Sequence, residues 1–223
     1  MKTKISILLL LAVIVSSCGG GGSQPKVNAN VAGTATEKIA DADKKLPFER
    51  GSYVEETSTM GMDLKKTVYF DRWGEWTAAE DKSELVMGSY VHKTHKLEIV
   101  KGRKHWNIDL LENTGTYYEL NYDVKGMAEA LTAAIGGQML EGMEMKELGE
   151  EDYLGYTCKK TFVKYTQMDM EVTTLSYGNL TMKMNGKMGA LDVSSKITSI
   201  DLSAPPAAIF EVPDGIDITV EKY

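Results

Sequence analysis

Apolar and polar residues alternate along most of this chain with the period of two that belongs to strands. Over residues 52–70, Val54, Glu56, Ser58, Met60, Met62 and Leu64 alternate with polar or β-branched partners. That run predicts one long strand or a bent pair, and Gly61 within it predicts a bulge or sharp bend. Asp71-Arg72-Trp73-Gly74 has turn chemistry, and the chain resumes at Glu75-Trp76-Thr77. Residues 95–100 and 105–110 flank Lys101-Gly102-Arg103-Lys104. Leu110-Leu111 and Tyr117-Tyr118 flank Glu112-Asn113-Thr114-Gly115-Thr116. Both linkers are short, polar and glycine-containing, as hairpin loops are. Residues 156–165, 170–177, 180–184 and 190–202 are the remaining strand candidates, and Asn185-Gly186 is the strongest single hairpin signal in the chain. Pro205-Pro206 ends the last strand, and residues 207–213 read as a short packed turn.

One stretch breaks this period. Asp123 is a plausible N-cap for a helix carrying Val124, Met127, Ala128, Leu131 and Ile135, whose spacings of three and four put one apolar stripe on one face. Gly136-Gly137 ends or weakens that helix, and residues 139–145 are expected to form a second short turn. Strands with one helical insertion and no internal repeat predict a single α+β domain, mostly antiparallel β, over residues 46–223.

The start of the chain has a different pattern. Met1-Lys2-Thr3-Lys4 is basic, residues 5–15 are apolar apart from Ser6, and Val15-Ser16-Ser17 precede Cys18. The apolar run is too short for a membrane-spanning helix, which needs about 20 residues. The arrangement is that of a secretory signal with a lipobox, and it resembles bacterial lipoprotein signal peptides. That resemblance implies acylation of Cys18 and cleavage before it. Residues 1–17 are then the signal peptide and residues 18–45, opening on Gly19-Gly20-Gly21-Gly22-Ser23, a lipidated flexible tether. Several acyl chains make such an anchor effectively permanent, since each buried methylene contributes about 0.8 kcal/mol.

Composition narrows the function classes. Loss of Lys2 and Lys4 with the signal leaves 23 basic against 32 acidic residues, a net charge of about −9 with histidines neutral. General attraction to nucleic acid or anionic lipid is therefore not expected. The lipobox takes one of two cysteines, so Cys158 has no intramolecular disulfide partner and reads as a buried thiol.

No catalytic constellation is visible. There is no G-x-S-x-G and no phosphate-binding loop. His92, His95 and His105 lack the company of a zinc site, and no metal or cofactor is expected. The acidic run Glu147-Leu148-Gly149-Glu150-Glu151-Asp152 lacks the spacing of a calcium loop and reads as a solvated loop. The tryptophans and tyrosines are scattered over different elements and read as packing residues. Methionine is the unusual feature. Met60/Met62, Met143/Met145, Met168/Met170 and Met182/Met184 all have M-x-M spacing, which on a strand puts both side chains on one face. Core packing, an apolar ligand cavity and soft-metal binding are the three readings.

From residue 48 to residue 218 the chain resembles a family of uncharacterised bacterial lipoproteins carrying a domain of unknown function, similar to the LolA-like and LppX-like lipoprotein-carrier half-barrels. The resemblance is carried by Gly61-Met62-Asp63-Leu64-Lys65-Lys66-Thr67-Val68-Tyr69-Phe70-Asp71, Leu154-Gly155-Tyr156-Thr157-Cys158-Lys159-Lys160 and Ile209-Phe210-Glu211-Val212-Pro213-Asp214-Gly215. It implies a curved half-barrel-like sheet with one or two helices across its concave face, an apolar cavity between them and no catalytic residue. The expected function is that of a lipid-anchored envelope protein, not an enzyme, facing the periplasm from the outer membrane. It binds a lipid or other apolar ligand in a cavity lined by Met60, Met62, Met127, Leu131, Met182 and Met184. The alternative is an interaction or structural module with a solid core and a protein partner, and an enzyme of unrecognised type is the third reading. Cys18→Ser is expected to abolish metabolic labelling by a fatty-acid analogue that tags the parent protein; equal labelling of both would end the lipoprotein reading.

Overall fold

The computed structural model describes residues 44–59, 62–87, 90–120 and 142–221. Twelve strands are β1 (Gly51–Thr59), β2 (Met62–Asp71), β3 (Trp76–Met87), β4 (Tyr90–Lys101), β5 (Lys104–Asp109), β6 (Thr114–Glu119), β7 (Met143–Tyr153), β8 (Tyr156–Tyr165), β9 (Met170–Tyr177), β10 (Leu180–Met188), β11 (Leu191–Asp201) and β12 (Asp217–Val220). They form one open sheet in the order β12-β6-β5-β4-β3-β2-β1-β11-β10-β9-β8-β7. Two antiparallel meanders, β1 to β6 and β7 to β11, are therefore joined by the β1–β11 ladder, Ser52 opposite Asp201 through Thr59 opposite Val193. Among the described strands only β12 runs parallel to its neighbour, β6. A twisted sheet of this width curls rather than lying flat, which fits the half-barrel expectation. The helix expected over residues 123–135 lies outside the described residues.

Local chemistry places the reversals. Residues 52–70 are two strands, β1 and β2, paired in a hairpin from Gly51 opposite Phe70 to Thr59 opposite Met62. Leu154 (φ 51°) and Gly155 (φ 81°) make the two-residue turn between β7 and β8, the left-handed pair that matches strand twist. Three expectations fail here. The hairpin signal Asn185-Gly186 lies inside β10, and the reversal comes at Gly189 (φ 60°), between Met188 and Leu191. Gly186 is instead a close-approach site: a Cβ there would lie 2.2 Å from the Glu171 carbonyl oxygen and 2.7 Å from Val172 Cα. The tight β9–β10 contact outweighs the local turn preference. Residues 143–145 begin β7 rather than ending a helical turn. The acidic run from Glu147 belongs to that same strand, an edge whose charges and register shift between Glu147 and Glu150 discourage further pairing.

Two apolar clusters hold the sheet. Ala78, Leu97, Ile99, Ile108 and Phe210 form one, closed by Trp76, Trp106, Ile209 and Val212. Cys158, Leu175, Leu180, Met182 and Ile197 form the other, where Phe48, Tyr53, Tyr156 and Tyr177 pack. Phe48 stacks on Tyr177 at 5.6 Å and meets Tyr156 edge-on at 5.4 Å. Each Ile, Phe or Met side chain fully buried this way contributes about 1.5–3 kcal/mol. Gly186→Ala should lower the unfolding free energy by about 1–3 kcal/mol through overpacking, measured by urea denaturation; an unchanged midpoint would contradict this register.

Candidate functional site

Register sorts side chains between faces, because cross-strand partners share a face and so do residues two apart. One row reads Met143, Tyr165, Met170, Met188 and Leu191, each opposite the next from β7 to β11. The next row on that face reads Met145, Val163, Val172, Gly186 and Val193, then Thr59 of β1. The third reads Glu147, Thr161, Thr174, Met184 and Ser195, then Thr57 and Leu64. Five methionines and three valines thus share one continuous face. Val172 and Thr174 are buried at its centre, while Met145 remains 52% exposed and Leu191 39%. Met143, Met170, Met184, Met188, Val163 and Val193 are half-buried. The Thr174 hydroxyl has no hydrogen-bond partner among the described residues.

The opposite face of the same strands is charged. The row between the first two reads Glu144, Lys164, Glu171, Lys187 and Asp192, alternating in sign across five strands. Lys164 Nζ donates to Glu171 Oε1 at 2.5 Å, and Lys187 lies 3.9 Å from Asp192. Neighbouring Lys146 pairs with Glu144 at 2.5 Å, and this partner holds the Glu144 carboxyl below its ordinary range. Two open hollows lie near this end of the sheet. One of about 800 Å³ sits at the β10–β11 reversal, bordered by Ser58, Asn185, Gly186, Lys187, Leu191 and Val193 among others. One of about 540 Å³ is ringed by Glu56, Asp63, Lys65, Lys183 and Lys196. Neither is bordered by a described methionine.

The residues named from sequence fall as follows. Met182 is fully buried in the second cluster, at the bulge where β10 shifts register against β9 between Thr181 and Lys183. Met184 lies beyond that bulge, on the methionine face opposite Thr174. Met62 takes the position opposite Thr59. Cys18, Met60, Met127 and Leu131 lie outside the described residues. Met143, Met145, Met170 and Met188 were not assigned to the site from sequence. The M-x-M spacing of Met143 and Met145 was the available signal, hidden by the helical reading of that stretch, and Met188 belongs to no such pair.

The groups with chemical reach have structural partners. Cys158 is fully buried, and that burial pushes its thiol above the ordinary range, away from the reactive thiolate. His95 Nε2 lies 2.7 Å from Glu80 Oε1, and this contact is the main reason the Glu80 carboxyl sits below its usual range. His105 stacks on Tyr118 at 4.9 Å, and burial lowers its pKa. No group of three His, Cys, Asp or Glu residues is arranged to hold a metal among the described residues.

No family model matches the sequence, and neither does any curated protein. Among solved structures the chain is similar to an uncharacterised conserved protein from Thermus thermophilus, with TM-score 0.51 and 13% identity over 80% of this chain and 93% of that one. This likeness establishes a shared fold. MucB in its complex with MucA, from Pseudomonas aeruginosa, matches at TM-score 0.45 and 11% identity over 76% of this chain and 58% of that one. The Mycobacterium tuberculosis lipoprotein LppX matches at TM-score 0.33 and 12% identity over 69% of this chain and 88% of that one.

Met145→Glu, at an exposed position, should change stability by less than about 0.5 kcal/mol. Val172→Glu, at the buried centre of the same face, should cost about 3 kcal/mol or more. Chemical denaturation of both variants checks the pair, and an equally large loss from Met145→Glu would mean that the face is covered in solution.

Proposed function

We propose that this chain is a lipid-anchored protein of the cell envelope that holds an apolar ligand against the methionine-lined face of its sheet. The observation that carries the reading is the sorting of side chains across five strands: thioethers and valines on one face, alternating charges on the other. A sheet face that served only packing would be covered by the core, yet this one keeps half-buried and exposed apolar groups. Methionine suits such a surface because its unbranched, polarisable side chain adapts to irregular apolar shapes. The Cys18 lipobox supports placement at a membrane, on the periplasmic side of the outer membrane. A non-enzymatic role is supported by the burial of Cys158 and the carboxylate partner of His95. The second reading is a protein-interaction module, favoured by the openness of the face at Met145, on edge strand β7.

A fluorescent fatty-acid probe should bind the chain lacking residues 1–18. Met170→Glu or Met188→Glu should weaken that binding about tenfold or more, equivalent to about 1.4 kcal/mol. Both positions are only half-buried, so the melting temperature should move by only a few degrees. Absence of probe binding, with both variants still folded, would favour the interaction module.

A further inference from the structure

We propose that the thioethers of Met143, Met145, Met170, Met184 and Met188 are a site of reversible oxidation, and that their conversion to sulfoxides releases the apolar ligand. The release half rests on the ligand reading above; the oxidation half rests on the structure alone. Strand faces are ordinarily built from β-branched and aromatic residues, which hold their rotamers on a pleated surface. Here five positions of one face carry methionine, the one apolar side chain that a mild oxidant converts reversibly to a polar group. Met170 stands directly opposite Met188, and Met143 and Met145 lie two residues apart on the same strand. A sulfoxide at any of these positions places a strong dipole on the apolar patch, whose middle row is Met145, Val163, Val172, Gly186 and Val193. The alternating charged row faces the other way.

Exposure separates these sulfurs from that of Met182. Met145 is 52% exposed, whereas Met182, only two residues from Met184 in sequence, is 0% exposed in the second cluster. Met182 is thus a built-in protected control. Met168, 42% exposed in the 3-10 turn Thr166–Met168, is an oxidisable control away from the three rows. The reaction needs no group from the protein beyond the thioether. A hydroperoxide delivers its terminal oxygen to the sulfur lone pair, the O–O bond breaks, the sulfur–oxygen bond forms, and an alcohol or water leaves. Sulfur loses two electrons and the peroxide gains them. Reversal requires an external dithiol reductant, which becomes a disulfide as the oxygen leaves as water. Cys158 cannot serve, because it is buried and is the one cysteine among the described residues.

The test uses the full chain in phosphatidylcholine vesicles, treated with dilute hydrogen peroxide and mapped by peptide mass spectrometry over time. A diazirine-bearing fatty acid in the vesicles reports occupancy of the face through light-induced crosslinks to β7, β9 and β10. The five face methionines are expected to oxidise about tenfold or more faster than Met182. Crosslinking should fall by about tenfold with them and return after a sulfoxide reductase restores the thioethers. The combined variant Met143→Leu, Met145→Leu, Met170→Leu, Met184→Leu, Met188→Leu keeps volume and apolarity, and whatever crosslinking it shows before peroxide should be unchanged after it. Met168→Leu should lose crosslinking as the parent does. If this variant fails to fold by circular dichroism, Met145→Leu, Met170→Leu, Met188→Leu takes its place and should keep a larger share of its crosslinking after peroxide than the parent does. Oxidation of Met182 alongside the others overturns the site. Undiminished crosslinking in the oxidised parent overturns the release. Absence of crosslinking before peroxide overturns the ligand reading and the release with it, while the oxidation ranking still decides the site.

Discussion

The antiparallel ladder between β1 and β11 is the pairing on which the rest of this structure depends. Every other antiparallel contact joins strands that are neighbours in sequence; this one joins Glu55 to Ile197 and Thr59 to Val193 across the length of the chain. Without it there are two separate meanders, each with a long unpaired edge. With it there is one sheet, and the second cluster can gather Ile197 of β11, Tyr53 of β1 and Phe48 from the segment before β1. Ordering that much intervening chain is entropically costly before the ladder returns any stabilisation. Folding of the two halves is therefore coupled to a contact that no local signal announces.

Once the sheet is continuous, register determines its surface. A one-residue slip of any one strand from β7 to β11 would turn its own member of the charged row, Glu144, Lys164, Glu171, Lys187 or Asp192, onto the face that holds the methionines of its neighbours. The ion pairs of the charged row are solvent-exposed, and each contributes at most about 1 kcal/mol. Their weight lies in specificity: alternating signs reward the observed pairing, and like charges would meet in others. Negative charges and the register shift on β7 close the outer edge of this region. The apolar face stays open without leaving an equally inviting strand edge beside it.

Much of the β architecture was legible from alternation alone. β8, β9 and β11 lie where the period of two puts them, and the glycine-containing linker at Gly102 makes a hairpin. The misreadings share one cause. Asn185-Gly186 has the chemistry of a turn, but Gly186 is required where β10 presses on the backbone of Glu171 and Val172. Residues 147–152 have the composition of a solvated loop, but an edge strand needs only one neighbour and tolerates exposure on nearly every residue. Local propensity is worth tenths of a kcal/mol per residue and yields to a cross-strand contact made by residues far away.

Sequence by itself determined the acidic balance and the strand-rich character of the domain, and it carries the expectation of a lipobox at Cys18 with a tether after it. These depend on residue type and short-range order, and no folding step alters them. Tertiary structure alone decided which methionines share a face. M-x-M spacing guarantees a common face only where the pairing is regular. The bulge between Thr181 and Lys183 sends Met182 into the core and leaves Met184 outside it, while strand pairings from β7 through β10 bring Met143 into one row with Met170 and Met188. A strand's periodicity is written in its own residues, but the partner that converts periodicity into a surface is set by hydrogen bonding to another strand.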